Sequence, residues 1–420
     1  MTKVFFMTKV SMITIGTELL KGRIVNTNAA EAGLILRKNG YSLDRVVAIA
    51  DTREAIRDTV EAELAQNDIV LVSGGLGPTK DDITKHTLAE LFDSTLVEHQ
   101  PTLTFLEERY ASRNRPMTHL TRLQAMVPDV CQVVPNTQGT APGMMFHREG
   151  KLLFSMPGVP FEMLHMLEHG VIPQMQAHFP VQAFLHRTVR ITGVPESVAA
   201  ERMETIEPQI PGSIEIAYLP RNDGLWLELF TQVPENEAAS AEAALDQSAQ
   251  LVKDLFAHEI YALGEQPLPK EIADIFQKKE LTLAVAESLT GGIISAMIVS
   301  ISGASSFFRG SVTAYAVPVK IQVLGIPGDM IERNNVVSEA VAIAMAEGVR
   351  KLLGADIGIA TTGLAEQDGE TRPHAWLGYS DRFGVDSHHV DFIYKRNVNI
   401  ERAANEALKL CLKNVRTRFE

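Results

Sequence analysis

Cysteine is almost absent from this chain: Cys131 and Cys411 are the only two in 420 residues. Two so widely separated thiols exclude a disulfide framework and a zinc-ligand spacing, and they fit a reducing cytoplasm. Aromatic residues are scarce at 6%, with Trp226 and Trp376 the only tryptophans, too few for a base-stacking platform. No stretch supplies the roughly eighteen apolar residues of a spanning helix, so no membrane partner is expected. The opening MTKVFFMTKV lacks the long apolar run and small-residue cleavage site of an export signal. Its tetrapeptide MTKV occurs at Met1 and at Met7, which leaves two candidate start codons. Basic residues are in deficit, 39 against 52 acidic, for a net charge of −13. Such a chain repels a phosphate backbone, so direct nucleic-acid binding is not expected. Low-complexity tracts and solenoid repeats are missing as well.

What remains is an ordinary globular balance of 45% hydrophobic and 22% charged residues. At about 150 residues per domain the length predicts two to three domains. The first segment, 8–178, alternates short β-branched runs with amphipathic stretches, the pattern of a parallel sheet covered on both faces. Its spacing predicts strands over 10–15, 45–50 and 68–72, and helices over 26–39, stopped by Gly40, and over 52–66. The segment 181–262 reads as a small α+β module, with strands over 186–193, 213–219 and 224–232 and helices over 196–206 and 236–256. Its order resembles a KH domain without the Gly-x-x-Gly loop that clamps nucleotides, which points to a spacer or dimerisation role. Residues 264–269 read as a linker. The segment 267–420 repeats the strand-turn-helix logic, with helices over 270–279 and 338–353 and strands over 281–286 and 356–360. The fold class expected is α/β, two doubly wound α/β domains joined by the α+β module.

The run SGGLGPTKDD, Ser73 to Asp82, follows a strand and precedes a helix. Backbone N–H groups in such a turn can approach an anion closely, although a plain tight turn reads the same way. Asp81 and Asp82 beside it suit a hard cation bridging phosphates, or a cap for the following helix. The first strand brings Glu18, a third acid, to the same carboxyl edge of the sheet, where ligands of open α/β folds gather. The loops 136–143 and 156–162 supply small and rigid residues for two further walls.

These residues carry a resemblance. GTELL at Gly16, GxxxxTN at Gly22 to Asn28, GGLGPTxDD at Gly74 to Asp82, NxxGTAPG at Asn136 to Gly143 and PGVPxEM at Pro157 to Met163 together resemble the CinA family of competence/damage-inducible proteins. The resemblance implies a molybdopterin-binding-like first domain with a metal-dependent pyrophosphatase activity on ADP-ribose. It would use Glu18, Asp81 and Asp82 for the cation and Gly74, Gly75, Gly77 and Thr79 for the diphosphate. The cofactor implied is a divalent metal cation, alone or with a monovalent one.

The closing segment resembles the family's nicotinamide mononucleotide deamidase module. AESCTGG reads AESLTGG from Ala286 to Gly292, a G-x-S reads Gly303, Ala304, Ser305, and a Tyr and Lys five residues apart read Tyr315 and Lys320. With Leu289 in place of the cysteine, no thiol nucleophile is available there. Hydrolysis of an amide by a serine needs a base, and a lysine with a lowered pKa can serve. Ser305 is the expected nucleophile and Lys320 its base, with Ser288 and Tyr315 in support and Thr290, Gly291, Thr362 and Gly363 at the substrate. The family's TGIAGPGG becomes TGLAEQDG from Thr362 to Gly369. Beside a substrate phosphate, the carboxylate of Glu366 would cost about 1 kcal/mol or more, which predicts a weakened deamidase. The overall expectation is a cytoplasmic homodimer hydrolysing small nucleotides at two heads. The alternative is a regulatory protein linked to competence or DNA damage that binds a nucleotide or pterin without turnover.

Overall fold

The computed structural model describes residues 8–79, 82–179 and 181–419. They form two compact units, one running to Leu185 with Gln232–Ala241 added, the other His186–Thr231 with the chain from Glu242 onward.

In the first unit, the sheet runs in the order Leu43–Ile49, Val10–Ile15, Ile69–Ser73, Lys151–Met156, Gly143–Arg148, Gln132–Val134. The first four strands are parallel and the last two antiparallel, so the sheet is mixed where the sequence pattern predicted a parallel one. Strand residues alternate between two dry faces. Val10, Met12, Ile69 and Leu71 pack with Ala32 and Leu36 on one side. Ile13, Ile15, Val70 and Val72 pack with Ile56 and Val60 on the other. Helix Thr27–Lys38 begins where the Asn26 side chain accepts the N–H of Ala29, and helix Arg53–Gln66 begins in the same way at Thr52. Both caps satisfy an N–H that the first turn leaves open.

The second unit opens with the α+β module, apart from its residues 183–185 and 232–241. Its strands lie in the order Glu215–Arg221, Gly224–Val233, Ala183–Ile191, Ile260–Leu263, with helices Glu196–Met203 and Ala238–Leu255. The short strand Ile260–Leu263 was not visible in the sequence pattern. The closing domain has the strand order Phe308–Thr313, Leu283–Glu287, Ile357–Leu364, His374–Ser380, Val385–Asp391, parallel over the first three and antiparallel over the last two. Leu283, Val285, Ile357 and Ile359 face Phe276, Ile294 and Leu408, while Ala284, Ala286 and Ala360 face Val341, Met345 and Val349. Helices therefore cover both faces, and the doubly wound α/β fold class holds for this domain as for the first.

The linker expected over 264–269 is not a loose one. Leu268 and Pro269 begin helix Leu268–Lys278 and are buried, and Leu268 shares one core with Tyr261 and Ala262 of the preceding module. Gly264 donates its N–H to the Thr188 carbonyl, and Arg190 donates to the Gln266 carbonyl at 2.8 Å. The Arg190 side chain is fully buried and ion-paired with Glu271, between the rings of Trp226 and Tyr261. Desolvation lowers its pKa. Arg190→Ala is expected to destabilise this unit by about 2 kcal/mol or more, because it empties the space of a fully buried side chain and leaves Glu271 with Arg416 alone. Urea unfolding read from Trp226 fluorescence checks this, and an unchanged midpoint contradicts it.

Candidate active site

In the closing domain, strands Leu283–Glu287 and Ile357–Leu364 run side by side and parallel, with Glu287 opposite Thr361. Their carboxyl ends meet at the point where strand order reverses, the place where open α/β sheets hold ligands. Ser288 is the first residue beyond the strand, and its N–H is fixed on the Thr361 carbonyl at 3.0 Å. The chain then turns through Gly291 and Gly292, whose φ angles of 60° and 114° a side chain would resist. This turn lets Glu287, completely buried, fold its carboxylate beneath the next helix. It accepts the N–H groups of Gly292, Ile294 and Ser295 and the Ser295 hydroxyl. Four donors and the helix N-terminus satisfy that charge without a cation.

Lys320 lies in helix Val317–Gln322 and is 0% exposed. Its Nζ donates to Ser288 Oγ at 2.9 Å, to the Ala314 carbonyl at 2.6 Å and to the Tyr315 carbonyl at 3.2 Å. All three partners are uncharged. Burial lowers its pKa from the ordinary 10.5 to about 8, since desolvation penalises the ammonium. A cavity of about 420 Å³ opens above the pair, walled by Tyr315, Val336, Thr362, Gly363 and the loop of Glu366 and Asp368, with Arg396 at one side. That volume falls in the range of small-molecule sites.

The structure joins Lys320 to Ser288 and not to Ser305. Ser305 is exposed in the short turn Ala304–Ser306, ahead of the amino end of strand Phe308–Thr313, whereas Lys320 follows the carboxyl end. Those six residues put about 20 Å of strand between the two groups, at about 3.3 Å per residue. The expected Ser305–Lys320 pair is therefore corrected to Ser288–Lys320. Thr290 is buried with its hydroxyl paired to that of Thr361 at 2.8 Å, a brace between strand ends and not a cavity wall. Gly291 belongs to the turn. Thr362 does line the cavity, and its hydroxyl donates to the Val336 carbonyl. Tyr315 is 65% exposed at the mouth.

Arg396 was not found by sequence reasoning, because it comes from the start of helix Arg396–Phe419 with no local motif around it. Its guanidinium donates to Glu366 at 3.1 Å and reaches the Tyr315 hydroxyl at 3.5 Å. The Glu366 carboxylate, expected to repel a substrate phosphate, is thus paired.

The first domain also gathers residues at the carboxyl edge of its sheet. Gly74 and Gly75 take φ angles of 117° and 68°, and the Thr84 hydroxyl lies against Gly75 where a side chain would stand. Asn28 donates to Ser73 Oγ at 3.1 Å and to the Gly158 carbonyl at 2.9 Å, and Ser73 donates to the Pro157 carbonyl. Asn136 ties the other expected wall to Glu162 at 2.8 Å. Asn28 Oδ1 and Thr84 Oγ1 are buried with no hydrogen-bond partner among the described residues, an arrangement that a polar ligand would complete. Asp82 does not cap the following helix. Its Oδ2 accepts the N–H and O–H of Thr79 at 2.9 and 2.6 Å beside Gly77. Glu18 is exposed. Among the described residues, neither acid belongs to a trio of metal-ligating groups, and Asp81 lies outside the described residues.

Three family models match the chain: "Probable molybdopterin binding domain" over residues 11–177, "Damage-inducible protein CinA KH domain" over 186–262 and "CinA C-terminal domain" over 265–415. A CinA-like protein of Flavobacterium psychrophilum is 36% identical, over 97% of this chain and 98% of its own length. Another from Salinibacter ruber is 33% identical over 96% and 98%. A solved structure of the protein CinA from Thermoplasma acidophilum, described as of unknown function, is 34% identical over 41% of this chain and 97% of its own, with a TM-score of 0.36. The chain belongs to the CinA family.

Proposed function

We propose that the closing domain is a serine amidohydrolase acting on the carboxamide of a nicotinamide nucleotide, with Ser288 as nucleophile and Lys320 as base. The observation that carries this reading is the 2.9 Å bond between a solvent-excluded lysine and a serine hydroxyl at the floor of a ligand-sized cavity. The neutral amine of Lys320 takes the Ser288 proton as Oγ bonds to the carboxamide carbon. Charge collects on the carbonyl oxygen, for which the backbone N–H of Leu289, a residue of the cavity wall, is a candidate donor. Collapse breaks the C–N bond, and Lys320 returns its proton to the departing ammonia. Water, deprotonated by Lys320 in its turn, then attacks the acyl ester and releases the acid while Ser288 regains its proton. Arg396, paired with Glu366, stands at the side of the cavity.

Ser288→Ala is expected to cut ammonia release from nicotinamide mononucleotide by about a thousandfold or more, as loss of a nucleophile does, while Ser305→Ala keeps wild-type turnover. Loss of activity in the second variant alone would overturn the assignment. Nucleotide binding by calorimetry with no ammonia from the wild type would instead favour the regulatory alternative. The base must be unprotonated, so kcat/KM is expected to rise with pH to a plateau above about 8, the value to which burial brings Lys320. A flat profile between pH 6 and about 9 would contradict a lysine base.

For the first domain we propose a diphosphate site at the Gly74–Gly77 turn, hydrolysing ADP-ribose with water to AMP and ribose 5-phosphate. The orphaned Asn28 Oδ1 and Thr84 Oγ1 support a polar ligand there. Glu18 and Asp82 by themselves do not form a cation site, so a divalent ion in this place depends on Asp81. Asp81→Ala is expected to abolish metal-dependent AMP release, measured by chromatography of the products, and retained release would contradict the cation assignment.

A further inference from the structure

The charged side chains on the closing domain's cavity, among the described residues, are Lys320, Glu366, Asp368 and Arg396. Lys320 is spent on three acceptors at the floor and shields nothing at the mouth. The rim therefore sets two carboxylates against one guanidinium. That guanidinium is engaged by Glu366 at 3.1 Å and reaches toward the Tyr315 hydroxyl at 3.5 Å. The acidic loop is held in place by paired backbone bonds between Asp368 and Thr371, at 3.1 and 2.9 Å.

A nicotinamide mononucleotide brings a phosphate of nearly two negative charges at neutral pH. To bind it, the rim must pull Arg396 off Glu366 or seat the phosphate beside two carboxylates. The dephosphorylated nucleoside carries only the positive charge of its pyridinium ring. It needs no rearrangement of the rim. We propose that Glu366 makes this cavity select the dephosphorylated pyridinium nucleoside over the mononucleotide. The proposal rests on the amidohydrolase reading for its substrate family, and on the rim charges for its selectivity.

The test is calorimetric titration of the full chain, wild type and Glu366→Gln, with nicotinamide riboside and with nicotinamide mononucleotide, together with ammonia release from each. The wild type is expected to bind the riboside at least as tightly as the mononucleotide. Glu366→Gln should tighten the mononucleotide by about fivefold, the upper scale of an exposed ion pair, and leave the riboside within about twofold. Tighter mononucleotide binding by the wild type, a variant that shifts both ligands equally or neither, or no binding of either ligand overturns the proposal. Selective binding as predicted, with ammonia from neither compound, would uphold the charge selection and refute the amidohydrolase reading, so the two failures are distinguishable.

Discussion

A lysine ammonium with no carboxylate beside it, sealed from water and held by three neutral oxygens, is the constraint on which the closing domain is built. Burying a charge without a counter-ion is costly, and it is tolerated where the group can shed its proton. Lys320 is such a group, and among its three partners the hydroxyl of Ser288 is the one side chain. The surrounding structure serves that contact. Strand Leu283–Glu287 ends so that Ser288 emerges at the crevice, and the Ala314 and Tyr315 carbonyls fix the direction of Nζ.

The neighbouring acid is kept out of this chemistry. Glu287 precedes Ser288 by one residue, yet alternation along the strand turns it away, and its carboxylate is consumed by the first turn of helix Ile293–Val299. Had it faced Lys320, the pair would have held the lysine protonated and removed its value as a base. The glycines at 291 and 292 permit this separation, since only their left-handed backbone brings the helix N-terminus back over Glu287. The first domain uses the same construction at Gly74 and Gly75, where positive-φ glycines follow a strand end and the Thr84 hydroxyl lies against Gly75.

Much of the fold was legible because its signals are local. Asn26, Thr52 and Ser338 announce their helices by capping them, Gly40 and Gly354 mark helix ends in the left-handed region, and the strand Val10–Ile15 falls where the sequence placed it. The antiparallel edges of both large sheets were missed, because an apolar run does not report the direction of its neighbour. The site was legible in its residue types but not in its pairing. Ser288 and Ser305 are both short serines near glycine, and only the course of strand Phe308–Thr313 shows that one reaches Lys320 and the other does not. Arg396 and its contact with Glu366 join positions thirty residues apart through tertiary structure alone, beyond the reach of any spacing argument.

Labelling with phenylmethylsulfonyl fluoride, mapped by peptide mass spectrometry, tests the central claim most directly. A hydroxyl activated by a buried neutral amine should be sulfonylated at Ser288 in the wild type and spared in Lys320→Met. A label on Ser305, or on Ser288 to the same extent with and without Lys320, would contradict the account.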